Sequence, residues 1–177
     1  MLDAAELRRL TRVLKRAPLV DERTGQAVAH RQDALERLLP HRPPMLLVDA
    51  VDFVDVETAS VRGRRYLDPA DPGFSGHFPG EPVYPGVLVV EAMGQLALTL
   101  LHFAHRRTIA VPHDLSPSRV RATHIHYAAF ISPFQPGDTM TLHAQVAHDA
   151  FTLIAIGQAW NHGTLAAFAV SEVYVDE

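Results

Sequence analysis

From Gly86 to Ala104 the chain is apolar around a whole helical circumference: Val87, Leu88, Val89, Val90, Met93, Leu96, Leu98, Leu100, Leu101 and Phe103 leave no polar face. A helix of that kind is expected to be covered on all sides. At about 1.5 Å per residue it is roughly 30 Å long, the width of a small domain and equally of a bilayer. Glu91 and Gln95 within it argue against the bilayer, so the run is read as a core helix with no membrane span.

The loop that feeds this helix holds three prolines (Pro79, Pro82, Pro85) and three glycines (Gly76, Gly80, Gly86) around His77. Proline locks φ and glycine permits turns closed to other residues, so His77 is held in place. A carboxyl group kept from water favours its neutral form, which makes Glu91, expected to be buried, a candidate proton donor. Gln95, one turn on, can hold it. The N–H groups at the helix start near Gly86 can polarise a carbonyl oxygen. A loop histidine alone is more often structural, whereas a lone glutamate in an apolar helix is expensive and rarer. Together, base, acid and oxyanion donor carry more weight than any one.

The motifs Gly76-His77-Phe78-Pro79-Gly80, Pro85-Gly86-Val87-Leu88 and Glu91-Ala92-Met93 with Gln95 resemble the signature of the 3-hydroxyacyl-acyl carrier protein dehydratases of bacterial fatty acid synthesis, the FabZ/FabA group. Leu39 to Asp49 resembles the segment that opens the family's domain, and Phe130, Pro133 and Pro136-Gly137-Asp138 match a later strand and turn. The resemblance covers about residues 33 to 175. It implies a hotdog fold, an α+β arrangement in which an antiparallel sheet wraps a long central helix. It implies His77 as the base at the carbon next to the thioester, Glu91 as the acid at the 3-hydroxyl, the Gly86 N–H on the thioester oxygen, and Gln95 orienting Glu91. Val87, Phe78 and Pro79 would also face substrate. The family draws His and Glu of one site from different protomers, so a homodimer is expected, with a trimer of dimers or a heterodimer with a related hotdog subunit left open. Glutamate rather than aspartate at position 91 points to the FabZ branch and simple dehydration. Acyl carrier protein would deliver the substrate, and no cofactor is implied.

Residues 31–177 read as a single domain, preceded by a 1–30 extension. The 47% hydrophobic and 20% charged composition is ordinary for a globular chain, and the absence of cysteine removes disulfide and thiolate chemistry. A net charge of −4 makes bulk attraction to nucleic acid or anionic lipid unfavourable. Arg8, Arg9, Arg12, Lys15 and Arg16 alternate with Leu7, Leu10, Val13 and Leu14 as a short basic amphipathic helix ending before Pro18, read as a solvated face. Asp3 and Glu6 fit poorly with an acid-poor transit peptide, so a cytoplasmic protein is expected.

Asp33 to Leu39 reads as a helix with Asp33 as N-cap and Glu36 completing a capping box, closed by Pro40. Strands are expected over 45–56, 59–66, 120–131, 139–146, 151–160 and 165–175, the last four forming a meander. Eleven histidines raise the question of metal, but neither His124 with His126 nor His102 with His105 has an obvious third ligand, so none is expected. Arg62, Arg64, Arg65, Arg106, Arg107, Arg119 and Arg121 could gather into a docking face for the acidic carrier protein. Gly94, where the family commonly has alanine, is expected to widen an acyl tunnel or admit another backbone, and Pro43 departs from an aromatic position. The alternative functions are a hotdog acyl thioesterase and a subunit of a heteromeric dehydratase in a specialised lipid, polyene or polyketide pathway.

Overall fold

Helix α3 (Gly86–Leu98) lies across the inner face of a seven-stranded sheet and sends Val89, Val90, Ala92, Met93, Leu96 and Ala97 into its core. The computed structural model describes residues 4–149 and 152–176. Before α3 come α1 (Ala4–Leu14), β1 (Gln26–His30), α2 (Gln32–Leu38), β2 (Ala50–Asp55) and β3 (Ser60–Tyr66). After it come α4 (Leu100–Arg106), β4 (Arg119–Phe130), β5 (Thr139–Asp149), β6 (Thr152–Asn161) and β7 (Thr164–Asp176). The architecture is the expected α+β helix within an antiparallel sheet. Two glycines let the layers meet: a Cβ on Gly157 of β6 would lie 2.6 Å from Met93 Cβ, and one on Gly63 of β3 would lie 2.8 Å from Leu96 Cδ1.

The strand order is β1-β2-β3-β5-β6-β7-β4, every pairing antiparallel. The four late strands are therefore no simple meander. β5 joins β3, β6 and β7 follow it, and β4 closes the far edge on β7. Its outer edge has no strand partner among the described residues.

Several boundaries differ from expectation. The single helix to Ala104 is two segments meeting at Thr99, whose Oγ1 donates to the Leu96 carbonyl at 2.7 Å. Such a hydroxyl competes for the helix's own acceptors. Together Gly86–Arg106 is long and apolar enough to cross a bilayer by composition, yet most of it is buried in this fold. Residues 45–49 do not join β2: the Leu47 N–H donates to Gln95 Oε1 at 2.8 Å, and only the Asp49 N–H reaches β3, at the Arg64 carbonyl 2.9 Å away. β1 is a short edge strand the sequence pattern does not announce. α2 starts after Arg31, with no side-chain cap. Asp33 instead sits in the first turn, where its charge suits the helix dipole. The Pro43–Pro44 bond is cis. Phe151, expected to begin a strand, lies outside the described residues.

α1 packs on the opposite, outer face of the sheet. Leu7, Leu10 and Leu14 meet Ile154, Ile156, Phe168 and Val170, while the arginines of the helix face solvent. The fully buried Gln158 of β6 fastens the segment after α1. Its Nε2 donates to the Leu14 and Ala17 carbonyls at 2.7 and 2.8 Å, and its Oε1 accepts from the Leu19 N–H at 2.9 Å.

Candidate active site

The loop before α3 is fixed from both ends. Arg65 on β3 donates to Asp49 Oδ1 at 2.8 Å and to Asp71 Oδ2 at 2.6 Å, and Asp71 Oδ1 accepts from the Gly73 N–H at 2.8 Å. Further on, the Val83 N–H donates to the His77 carbonyl at 2.8 Å and the Tyr84 N–H to the Phe134 carbonyl at 2.9 Å. His77 Nδ1 lies 2.8 Å from the Val83 carbonyl. A carbonyl only accepts, so Nδ1 carries the hydrogen and the neutral ring keeps its lone pair on Nε2. Phe78 stacks on the His77 ring at 4.1 Å and is 57% exposed, and Pro79 beside it is exposed too.

His77 lines a cavity of about 410 Å³ with Val83, Tyr84, Gly86, Val87 and Phe130. At the start of α3 the N–H groups of Leu88 and Val89 return to the Pro85 carbonyl, while helix geometry leaves the first-turn donors without intrahelical acceptors. Gly86 is there because the Phe130 ring covers it: a Cβ would lie 2.8 Å from Phe130 Cε1. Tyr84, only 2% exposed, joins the wall of this cavity, a position the sequence reading did not single out.

Glu91 lines a different cavity, of about 200 Å³, with His41, Val87, Gly94 and Gln95. Its side chain is 40% exposed, so the expectation of burial is corrected. Val87, Glu91 and Gly94 recur at helical spacing on the side of α3 that the sheet leaves uncovered, and Val87 is 74% exposed. The helix is therefore not wrapped all round by its own chain. Gln95, by contrast, is buried and saturated. Its Nε2 donates to Glu91 Oε1 and to the Met45 carbonyl, both at 2.8 Å, and its Oε1 accepts from Leu47. His41 Nε2 lies 3.3 Å from the same Glu91 oxygen. His41 stands in the Leu39–Asp49 motif, but nothing in the sequence marked its contact with Glu91.

Within one chain, then, His77 and Glu91 occupy separate cavities that share Val87 as a wall. Gly86 and Val87 lie with His77, Gln95 with Glu91, and Phe78 and Pro79 at the outer rim of the loop.

The seven arginines do not form one face. Arg62, Arg64 and Arg65 on β3 are paired with Glu22, Asp52, and Asp49 with Asp71, and Arg107 with Glu57. Arg119 and Arg121 are on β4, four strand positions from β3 and thus about 19 Å away along the sheet. His124 and His126 stack at 5.6 Å and both approach Glu172, at 3.5 and 3.1 Å. Among the described residues no group of three His, Cys, Asp or Glu side chains is arranged to hold a metal ion.

The FabA-like domain family model matches residues 39–169. The 3-hydroxyacyl-acyl-carrier-protein dehydratase FabZ of Chlamydia trachomatis serovar L2 is 36% identical over 140 residues, covering 78% of this chain and 84% of the relative. The protein of the same name from Methylobacterium sp. (strain 4-46) is 40% identical over 133 residues, covering 75% and 77%. Among solved structures, a chain of the dehydratase heterocomplex ApeI:P from Xenorhabdus doucetiae superposes with a TM-score of 0.62 at 18% identity, over 81% of this chain and 91% of that one. A putative thioesterase from Ralstonia eutropha JMP134 superposes with a TM-score of 0.55 at 16% identity, over 80% and 99%. The fold is thus the hotdog fold; at such identities these two likenesses carry no more than that.

Proposed function

Since this chain belongs to the FabA-like domain family and has FabZ dehydratases among its relatives, we propose that it removes water from 3-hydroxyacyl thioesters on acyl carrier protein, giving trans-2-enoyl thioesters in cytoplasmic fatty acid biosynthesis. The observation that carries the reading is the equipment of the two cavities: a fixed histidine with Nε2 open beside a helix N-terminus, and a carboxylate held by Gln95.

In the proposed reaction His77 Nε2 takes the proton from the carbon next to the thioester. Charge gathers on the thioester oxygen, where the Gly86 N–H and the positive end of α3 stabilise it. The electron pair of the broken C–H bond forms the new double bond, the C–O bond at carbon 3 breaks, and Glu91 gives its proton to the departing hydroxyl, which leaves as water. His77 is then protonated and Glu91 ionised, and proton exchange through solvent resets both.

The separation of His77 from Glu91 within one chain supports a homodimeric site, in which one protomer's histidine faces its partner's glutamate. The uncovered stripe of α3, with Val87 74% exposed, and the open edge of β4, with Ile125 62% exposed, are apolar surfaces suited to that second copy. Mass spectrometry of a 3-hydroxyacyl carrier protein incubated with the purified chain tests the reading. Loss of water supports it; release of free acid, or no turnover across short, medium and long chains, contradicts it.

A further inference from the structure

A third cavity, of about 250 Å³, lies next along the chain from the one that holds Glu91. Its polar lining is Arg37 from α2, His102, His105 and Arg106 from α4, and Ser116 and Ser118 from the connection to β4. No carboxylate lines it. Two guanidinium groups, the His105 imidazole and two hydroxyls offer donors to the same space, an arrangement that suits an anion, while His102 gives its Nε2 hydrogen to the Ala110 carbonyl at 2.7 Å. Arg37 Nε is buried and has no hydrogen-bond partner. Leaving such a donor unmet costs energy, and Arg37 borders both this cavity and one of about 380 Å³ on the side of Asp33. Arg65 Nε is likewise buried without a partner, but the Nη atoms of Arg65 meet Asp49 and Asp71, and Arg23, Arg31, Arg42, Arg62, Arg64 and Arg107 each meet a carboxylate too. Basic residues at a helix C-terminus answer the helix dipole, which accounts for His105 and Arg106, but not for Arg37 on another helix or for the serines.

The volume is below the roughly 300–1,000 Å³ of ordinary small-molecule pockets, so the cavity suits a small headgroup rather than a whole cofactor. Arginine's planar fork matches the oxygens of phosphate. The same two stretches of chain build this cavity and its neighbour. Leu38 lines this one and His41 the other, while Leu101 lines this one and Leu98 the other.

We propose that this cavity binds a phosphate group, either the phosphodiester through which a carrier protein holds its thioester arm or a free phosphate ester. The carrier source rests on the dehydratase reading above; phosphate binding itself does not.

Titration of the full-length protein with inorganic phosphate, followed by calorimetry, tests the site without any turnover. Saturable binding is expected, weakened roughly tenfold or more by Arg37→Gln and by Arg106→Gln, each checked for wild-type melting; Arg106 is exposed, so its replacement spares the core. KM is then measured with a carrier-bound 3-hydroxyacyl thioester and with its N-acetylcysteamine counterpart, which lacks phosphate. A KM raised for the carrier substrate alone assigns the site to the carrier's arm. Weakened phosphate binding with both KM values unchanged assigns it to a free phosphate ester. Absence of saturable phosphate binding by the wild type, or equal binding by the folded variants, overturns the proposal.

Discussion

Gln95 Nε2 donates to Glu91 Oε1 at 2.8 Å from a side chain that is itself 1% exposed, so a carboxylate open to solvent is held by an amide that cannot move. The amide is locked because Met45 and Leu47 use its remaining donor and acceptor, which ties the segment before β2 to the central helix. One oxygen of Glu91 is thereby engaged, with His41 also within reach of it, and the other is open for the proton transfer proposed above.

Replacing Gln95 with leucine removes that hold and strands the Leu47 N–H in the core. A displacement of about 1 Å at a reacting group can cost on the order of 100-fold, so kcat is expected to fall by about that factor. Stability should fall by about 1–3 kcal/mol from the orphaned backbone groups. Steady-state kinetics and urea unfolding of Gln95→Leu check both. A variant with wild-type kcat would show that Glu91 does not depend on the amide.

Gly94 has an unexpectedly simple environment: a Cβ there meets nothing within 4 Å, so no backbone of this chain comes close. Gly94→Ala is expected to stabilise the fold by up to about 1 kcal/mol through helix propensity. Because position 94 lines the Glu91 cavity, the added methyl should also shift turnover toward shorter acyl chains. Thermal melting and competition between chain lengths test the two halves separately.

His143 on β5 is 7% exposed, with its Nδ1 unpartnered, and burial pushes its imidazole down to about 4, with Arg62 adding to the effect. The unfolded chain takes up a proton near pH 6.5 while the folded chain stays neutral until about 4. Stability is therefore lost as pH falls through that window, by roughly 3 kcal/mol in all. His143→Phe should flatten the slope between pH 6.5 and 4.5 in denaturant unfolding; an unchanged slope would assign the acid sensitivity to other groups.

Much of this was legible in the chain. The apolar run from Gly86 marked the core helix, and the turn chemistry around His77 marked a rigid loop, because both signals are local. What was lost is what depends on distant partners. Glu91 looked buried because its neighbours are apolar, but α3 presents Val87, Glu91 and Gly94 on one uncovered side, and only the sheet's extent decides which side that is. The strand expected from Met45 was shortened by Gln95, fifty residues away from Met45. The arginines expected to gather are drawn to separate acids and to opposite parts of the sheet. Strand order, with β4 carried past β5, β6 and β7, leaves no trace in periodicity.

The proposed site joins one protomer's His77 to the partner's Glu91, and co-expression of His77→Ala with Glu91→Gln puts that pairing to the test. Each variant alone should be inactive. In a two-fold dimer, half of the randomly assembled molecules are hybrids, and each hybrid regains one complete site and loses the other, so activity should return to about a quarter of wild type. Mixed dimers that form yet remain as inactive as either variant would contradict the shared site.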